Sequence, residues 1–232
     1  MTVFPTAETG AHRPVTVEAE LDEPLSRWLW LVKWILLIPH FVVLFFLWIA
    51  FFVVTVIAFF AILFTARYPR PLFDLNVGVL RWSWRVGFYS TAAFATDRYP
   101  PFSPGREPGY PARLDIGYPE RLSRGLVLVK WWLLAIPHYI VVGFFVGGGG
   151  AGGGTEEQWF WSAGLITVLA FIAIIAKAFT RTYPGELFDL IIGLNRWVLR
   201  VTAYAALMTD AYPPFRLDKG GPERGPAPER SP

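Results

Sequence analysis

Residues 34–66 read WILLIPHFVVLFFLWIAFFVVTVIAFFAILFTA, and none of them carries a fixed charge. As one α-helix this run would be about 50 Å long, whereas the hydrocarbon core of a bilayer is about 30 Å thick. It is too long for one straight crossing, so its length predicts a helical hairpin with helices near 27–46 and 48–66. No turn-forming residue lies between Phe45 and Ile49, and the alternative is an interfacial segment ending at Pro39 followed by one span over 41–64.

The composition is typical of a membrane protein. Apolar residues make up 54% of the 232 positions, the mean hydropathy is +0.41 and charged residues reach 17%, against about 25% in ordinary soluble domains. The chain has no cysteine, which excludes disulfides, thiolate metal sites and thiol catalysis. A net charge of +3 from scattered, nearly balanced groups argues against nucleic acid as a partner.

The two halves of the chain repeat each other. The same motifs occur in both halves in the same order, which indicates a duplicated structural unit. We therefore predict membrane modules at 15–102 and 111–217, a linker at 103–110, a flexible N-terminus at 1–14 and a disordered tail at 218–232. The paired motifs are Leu25-Ser26-Arg27 and Leu122-Ser123-Arg124, Lys33-Trp34 and Lys130-Trp131, Ile38-Pro39-His40 and Ile136-Pro137-His138, Tyr68-Pro69 and Tyr183-Pro184, Leu72-Phe73-Asp74-Leu75 and Leu187-Phe188-Asp189-Leu190, Thr96-Asp97 and Thr209-Asp210, and Tyr99-Pro100-Pro101-Phe102 and Tyr212-Pro213-Pro214-Phe215.

Copy two is longer than copy one in one place. The spacing between the histidine and the tyrosine of the Tyr-Pro motif is 28 positions in copy one and 45 in copy two. The additional residues include the glycine-rich run 147–158, which predicts a flexible loop. This loop separates two apolar segments, 123–146 and 159–180, each of which suits one membrane crossing.

The distribution of positive charge predicts the orientation. None of the 21 Lys and Arg residues lies in either predicted hairpin tip, and positively charged loops stay in the cytoplasm. The first 27 residues contain no apolar core preceded by basic residues, so they are not a signal peptide. Both termini, the linker and both Tyr-Pro turns are therefore predicted on the cytoplasmic side of the inner (plasma) membrane. Four crossings result, arranged as parallel repeats.

A third segment in each copy, near 72–95 and 187–208, carries charged residues at helical spacing. Placing such charges at the middle of the bilayer costs about 2.5 to 3.5 kcal/mol each. An amphipathic helix in the membrane interface avoids this cost, with Phe73, Val77, Leu80, Trp84 and Phe88 facing inward. The polar rows are Asp74, Gly78, Arg81 and Arg85 in copy one and Asp189, Gly193, Arg196 and Arg200 in copy two.

The arginines of these rows have two interpretations. Arg81 pairs with Asp74, and Arg196 pairs with Asp189, in structural bridges two turns long. Alternatively, the arginines contact phosphate groups of anionic membrane lipids. The candidates for binding lipid headgroups are Arg81, Arg85, Arg196 and Arg200.

Short strands are predicted ahead of the apolar runs. Apolar residues alternate with polar ones within 15–21 and again within 112–116, which is strand periodicity. A two-stranded ribbon is marginal alone, so it is predicted to rest on the interfacial helices. The fold class is thus an all-α integral membrane protein with two tandem repeats, each a transmembrane helical hairpin plus an amphipathic interfacial helix, and a short cytoplasmic β ribbon.

The combination of motifs is specific. In copy one it comprises Lys33-Trp34, Ile38-Pro39-His40, Arg67-Tyr68-Pro69, Leu72-Phe73-Asp74, Gly78, Arg81-Trp82, Asp97 and Tyr99-Pro100-Pro101-Phe102. In this combination both copies resemble the bacterial domain of unknown function 4389 family, over roughly 15–102 and 111–217. The resemblance implies a bacterial membrane protein and carries no activity with it. Copy two departs from the pattern by its glycine loop and by Gly185-Glu186 after its Tyr-Pro motif.

Two pairs of residues are low-ranked candidates for ligand binding. His40 and His138 are a duplicated pair of the kind that can ligate haem or a metal across a symmetry axis. The competing interpretation is that a histidine after a proline caps backbone carbonyls at a kink. Lys33 and Lys130 lie inside their helices and are predicted to snorkel to the interface, with an ion pathway as the alternative.

No catalytic constellation is visible in the sequence. The glycine run lacks the Lys-Ser/Thr ending of a phosphate loop, and there is no zinc motif, paired catalytic carboxylate or Ser-His-Asp order. We predict a protein that is not an enzyme, with no cofactor and no metal. The leading hypothesis is an accessory or scaffold protein that contacts anionic lipids and a protein partner or a second copy. The alternatives are a small transporter or channel subunit and a haem-binding membrane redox protein.

Overall fold

A computed structural model describes residues 14–26, 28–147, 164–180, 182–214 and 217. These residues are mostly helical with one small sheet. The predicted N-terminal segment 1–14, the loop 147–158 and the tail 218–232 lie outside the described residues apart from residues 14 and 147. The elements are β1 (Val15–Ala19), α1 (Leu29–Leu36), α2 (Ile38–Thr65), α3 (Arg70–Tyr89), β2 (Ala112–Ile116), α4 (Arg124–Val129), a π-helical segment (Lys130–Leu134), α5 (Ile136–Val146), α6 (Leu165–Thr180) and α7 (Gly185–Ala205).

The charge-free stretch of copy one forms one long helix. After a break at Leu37, α2 runs for 28 residues without interruption, because nothing between Phe45 and Ile49 ends a helix. It terminates at Ala66, which has a left-handed backbone (φ 59°) and donates its N–H to Ile62 O. The hairpin predicted for copy one, with its tip near residue 47, is therefore wrong. The alternative of a short segment followed by one long helix describes the chain.

Copy two interrupts the same helix. α5 begins at the motif that begins α2, and α6 ends where the Tyr-Pro motif follows, so α5 and α6 together correspond to α2. The two helices meet: a Cβ added to Gly164 would overlap the backbone of Val146 and Gly147. The chain therefore leaves the helix after Val146 and returns to the same place before Leu165. Here the structure agrees with the prediction of two apolar segments.

Among the residues that the structure describes, one helix, α2, is long and apolar enough to cross a membrane. A second possible span results only if the helical segments 124–134 and 136–146, which are bent by 48° relative to each other, are counted as one span. Within the described ranges, α6 is apolar but too short at 16 residues. The four predicted crossings are thus not provided by the described part of the chain.

Helix α3 runs back along α2 in the opposite direction. Asn76 donates to Thr55 Oγ1 at 3.1 Å, and Trp48 donates to Ser83 Oγ at 3.1 Å, so residues 76–83 of α3 lie against residues 48–55 of α2. The arginine row occupies the other side of α3. The predicted apolar face is buried, with Phe73, Val77, Leu80, Trp84 and Phe88 at most 3% exposed.

The predicted ribbon is present. β1 and β2 pair antiparallel, with Val17 opposite Leu114. Both strands bury the same face, which consists of the alternating apolar residues. The ribbon covers the arginine side of α3 and contacts α7, so α3 is enclosed between α2 and the ribbon. Arg81 and Arg85 of the polar row donate to β2 and to the linker, whereas Asp74 is exposed. The interfacial location predicted for α3 stays a prediction.

The two copies interlock. Equivalent strands pair antiparallel about the pair Val17 and Leu114 and bury the same face, which defines a pseudo-twofold axis normal to the ribbon. Each copy packs on the other: the Leu122 N–H donates to Ala66 O at 2.9 Å, and Trp34 stacks on Phe171 with ring centroids 6.3 Å apart. The duplicated units therefore build one core.

Candidate functional site

Copy one holds a buried lysine between its first helix and its closing segment. Lys33 Nζ donates to Thr96 O at 2.6 Å and lies 3.0 Å from Asp97 Oδ1. The other carboxylate oxygen, Asp97 Oδ2, accepts the N–H of Ser26. The ammonium also lies 4.5 Å from the ring centre of Tyr89. One cation and one carboxylate thus join the beginning of the copy to its end.

Copy two repeats this cluster. Lys130 Nζ lies 2.8 Å from both Thr209 O and Asp210 Oδ1, and Asp210 Oδ2 accepts the Ser123 N–H at 2.7 Å. The prediction that Lys33 and Lys130 snorkel to the interface is wrong, because both side chains are 1% exposed and turn toward these partners. The repeated motifs contained the signal, since the lysine and the Thr-Asp pair are duplicated together.

The histidines occupy equivalent aromatic pockets. His40 Nδ1 accepts from the Trp82 indole at 2.9 Å, and its ring stacks on Phe102 with centroids 3.8 Å apart. In copy two the His138 ring meets Trp197 edge-on at 5.7 Å, as His40 meets Trp82 at 5.9 Å. The pockets explain why these residues recur together. No group of three or more His, Asp and Glu side chains that could hold a metal occurs in the described ranges.

The first arginine of each polar row clamps the strand of the other copy. Arg81 Nε donates to Leu114 O at 2.8 Å, and Arg196 Nε donates to Val17 O at 2.9 Å. These two acceptors belong to the residues paired at the centre of the ribbon. Arg81 also forms an ion pair with Asp115 at 2.5 Å.

The structural bridge predicted in copy one has a different partner, because Arg81 forms its ion pair with Asp115 and not with Asp74. Helical spacing placed Asp74 two turns away on the same helix, whereas Asp115 lies on the strand that crosses the row. The pairing of Arg196 with Asp189 stays a prediction.

Two of the four arginines predicted to contact lipid headgroups are buried within the protein. Arg196 is 1% exposed and Arg85 is 2% exposed. Arg85 Nη1 donates to Gly105 O at 3.1 Å, and its Nη2 donates to Ser103 O. Burial lowers the pKa of the Arg85 guanidinium below its ordinary value. Arg200 is partly exposed, and its contact with headgroups stays a prediction.

A basic cavity lies between α3, the linker and β2. Its volume is about 210 Å³. Arginines from three segments of the chain meet there, whereas the sequence had grouped only those on α3. The charged residues that line it are Arg81, Arg85, Arg106, Arg113, Glu107 and Asp115.

A comparison with known families accounts for the repeated motifs. The profile of a domain of unknown function (DUF4389) matches residues 27–103 and 159–216, which together exceed half of the chain. The chain belongs to the DUF4389 family. The two matches fall in the two predicted copies, so the resemblance found in the motifs is confirmed. The second match begins at residue 159, which leaves α4 and α5 outside it. No curated protein and no solved structure matches the chain.

The surface of this DUF4389 protein is sharply divided. Charged residues in α1, α2, α5, α6 and the π-helical segment are limited to Lys33, Lys130 and Lys177, which are at most 3% exposed. The same helices expose large apolar side chains, including Phe52 at 70% and Phe179 at 84%. We call these exposed side chains the apolar surface. It is continuous between the copies, because α2 packs on α4 and α1 packs on α6.

Proposed function

We propose that the protein is a non-enzymatic membrane scaffold that lies in one leaflet of the plasma membrane. The apolar surface faces the lipid, and the ribbon with α3 and α7 faces the cytoplasm. The observation that carries this proposal is the position of the Arg81 and Asp115 ion pair beside the middle of α2. The apolar surface and the use of the buried charges support it as well.

The apolar surface supports contact with lipid. Exposed apolar patches on soluble monomers rarely exceed a few hundred Å², whereas here four helices and the π-helical segment expose phenylalanine, tryptophan and isoleucine along their whole length. Lys177, the charge nearest to the end of α6, turns inward and donates to Ser26 O at 3.2 Å. Water is a poor solvent for such a surface, and acyl chains are a good one.

The ion pair beside α2 supports an orientation along the membrane plane. Residues 76–83 of α3 lie against residues 48–55 of α2, so Arg81 is level with the middle of α2. A helix perpendicular to the membrane would bring Arg81 and its partners to the centre of the bilayer. Asp115 and Arg106 there have side chains 50% and 73% exposed, and each charge costs about 2.5 to 3.5 kcal/mol at that depth.

The use of the buried charges supports a role in assembly and not in catalysis. Lys33, Lys130, Arg81 and Arg196 donate to backbone carbonyls or to carboxylates of other segments. Their hydrogen bonds thus join parts of the chain. A rigid, interlocked core with a polar face directed to the cytoplasm suits a protein that holds a partner or a second copy at the membrane.

Exposed arginines at the edge of the apolar surface complete the arrangement. Arg67 and Arg121 flank the hydrogen bond between Leu122 and Ala66, and both are exposed. In a helix layer lying in the inner leaflet, these guanidiniums reach anionic headgroups. Both termini then stay on the cytoplasmic side.

Labelling of single cysteines from either side of the membrane tests the proposal. The chain has no cysteine of its own, so only the introduced residue can react. Single cysteines replace Glu23, which precedes α1, and Glu120, which lies near the end of α2; both side chains are exposed. A membrane-impermeant maleimide should label both positions in inverted vesicles and neither in right-side-out vesicles. Labelling from opposite sides would mean that α2 crosses the membrane and would sink the proposal. Val53→Cys, on the apolar surface, is the matched control and should resist the reagent from both sides.

A further inference from the structure

We propose that the basic cavity binds a phosphate group carried by a soluble ligand. The cavity lies on the polar side of α3, away from the apolar surface, and Arg106 and Arg113 are part of its lining. This inference adds a ligand site to the scaffold and does not depend on how α2 is tilted.

The charges around the cavity are not balanced. Four arginines and two carboxylates line it, and a third carboxylate, Glu18, pairs with Arg113 at 3.6 Å. Asp115 is shared between Arg81 at 2.5 Å and Arg106 at 3.0 Å, so one negative charge serves two guanidiniums. The hydrogen bonds of Arg85 go to neutral carbonyls. An excess of positive charge therefore remains, and an entering anion neutralises it.

Arg85 offers an unused donor. Its Nε is buried and has no hydrogen-bond acceptor among the described residues. A buried N–H without an acceptor costs about 1 to 3 kcal/mol, so native structures rarely keep one without a reason. Because Arg85 lines the cavity, a small shift of its side chain would bring this nitrogen within reach of a phosphate oxygen. Guanidinium groups suit this role because their planar donors match phosphate oxygens in pairs.

The donors are also held in place. The two Nη atoms of Arg85 are fixed by Gly105 and Ser103, and Arg81 is fixed by Leu114 and Asp115. Side chains that are already ordered lose little entropy when an anion binds.

The size of the cavity selects a small group. Its volume of about 210 Å³ is below the range of about 300 to 1,000 Å³ that is usual for sites of drug-sized ligands. A phosphate group and a few waters of about 30 Å³ each fill such a space. The remainder of a larger phosphorylated ligand would have to stay outside, beside Arg106.

The test uses the full chain in an uncharged detergent and inorganic phosphate as the probe. Phosphate should raise the Tm, and calorimetry should give a Kd for it. Arg106→Gln removes an arginine whose side chain is 73% exposed and should weaken phosphate binding about tenfold, as expected for one charged hydrogen bond. Arg124→Gln is the matched control, an exposed arginine that does not line the cavity, and should leave the Kd unchanged.

Two outcomes would overturn the site. The first is that phosphate has no effect on the Tm. The second is that Arg124→Gln weakens binding as much as Arg106→Gln, which would indicate attraction to net charge alone. A second arm uses vesicles of phosphatidic acid in phosphatidylcholine. Binding that depends on Arg106 and occurs with phosphatidic acid but not with inorganic phosphate would assign a lipid as the source and refute the soluble ligand. Sided labelling of Glu23→Cys and Glu120→Cys reports on the scaffold proposal independently of either arm.

Discussion

At the scale of single residues, the two buried lysines have the clearest role. Each places one ammonium on a carboxylate and on a backbone carbonyl at the end of its copy. A buried ion pair contributes little net stability when its desolvation is counted, but removing one partner leaves a charge without compensation. The ion pair therefore joins the first helix of each copy to its closing segment.

Lys33→Met should lower the free energy of unfolding by about 2 kcal/mol, because the Asp97 carboxylate then loses its counter-charge. The loss is smaller than for a fully buried ion pair, because the Asp97 side chain is partly exposed. Lys130→Met should cost about the same by symmetry. Denaturation in detergent, followed by circular dichroism, measures both. Asp74→Asn, at an exposed carboxylate, is the control. An equal loss of unfolding free energy in the control would contradict the role of the ion pair.

Gly78 matters because of its neighbour. A Cβ at this position would lie 2.8 Å from Pro104 Cβ and 3.2 Å from Pro104 O. The linker can therefore approach α3 this closely only where α3 has a glycine. Gly78→Ala should cost about 1 to 3 kcal/mol through this overlap. Gly125→Ala, where a Cβ would meet nothing within 4 Å, should be neutral or stabilising. Equal thermal stability of the two variants would refute the contact.

At the scale of elements, the insertion in copy two is the main asymmetry. α2 has 28 residues, and α5 and α6 have 11 and 16, so the interrupted helix retains nearly the length of the continuous one. The close approach of Gly164 to Val146 indicates that the insertion leaves the helix without displacing α6. The extra segment of copy two is thus inserted at one point of a helix that otherwise corresponds to α2.

Deletion of residues 147–163 should join α5 to α6 into one helix like α2. The protein should remain folded, with a Tm equal to or above that of the full chain, because a closed loop of this length costs conformational entropy. Thermal unfolding of the shortened chain in detergent is the measurement. Loss of folded protein would show that the insertion is needed to hold α6 in place.

At the scale of the whole molecule, the pseudo-twofold axis makes the halves interdependent. Arg81 of copy one needs a strand of copy two, and Arg196 of copy two needs a strand of copy one. Each half by itself would expose the unpaired edge of a single strand, which is an aggregation hazard.

Residues 1–110 and 111–232, produced separately, should each fail to give stable protein. Produced together, they should copurify as a complex through one tagged half, because the ribbon and both arginine clamps form between them. The melting of the complex reports its stability. If residues 1–110 formed a stable monomer that did not bind residues 111–232, this result would contradict the interlocked core.

Much of this architecture was predictable from local patterns. The duplication, the strands from alternating Val15 and Val17, the apolar face of α3 and the family all follow from residues that repeat at fixed spacing. Apolar periodicity determines which face of an element is buried, so Phe73 and Phe88 were correctly placed inward. The break in copy two was also visible, since glycine runs do not continue a helix.

The amino-acid sequence by itself determined that the chain is rich in apolar residues, that it is duplicated and which faces of the ribbon and of α3 are buried, because composition and periodicity are local properties. Only the tertiary structure decided the partners of the polar residues. Arg81 meets Asp115 and Lys33 meets Asp97 across 34 and 64 positions of the chain, and no periodicity relates such distant residues. The length of the charge-free run also left a hairpin and a single helix open, and the structure shows one helix of 28 residues.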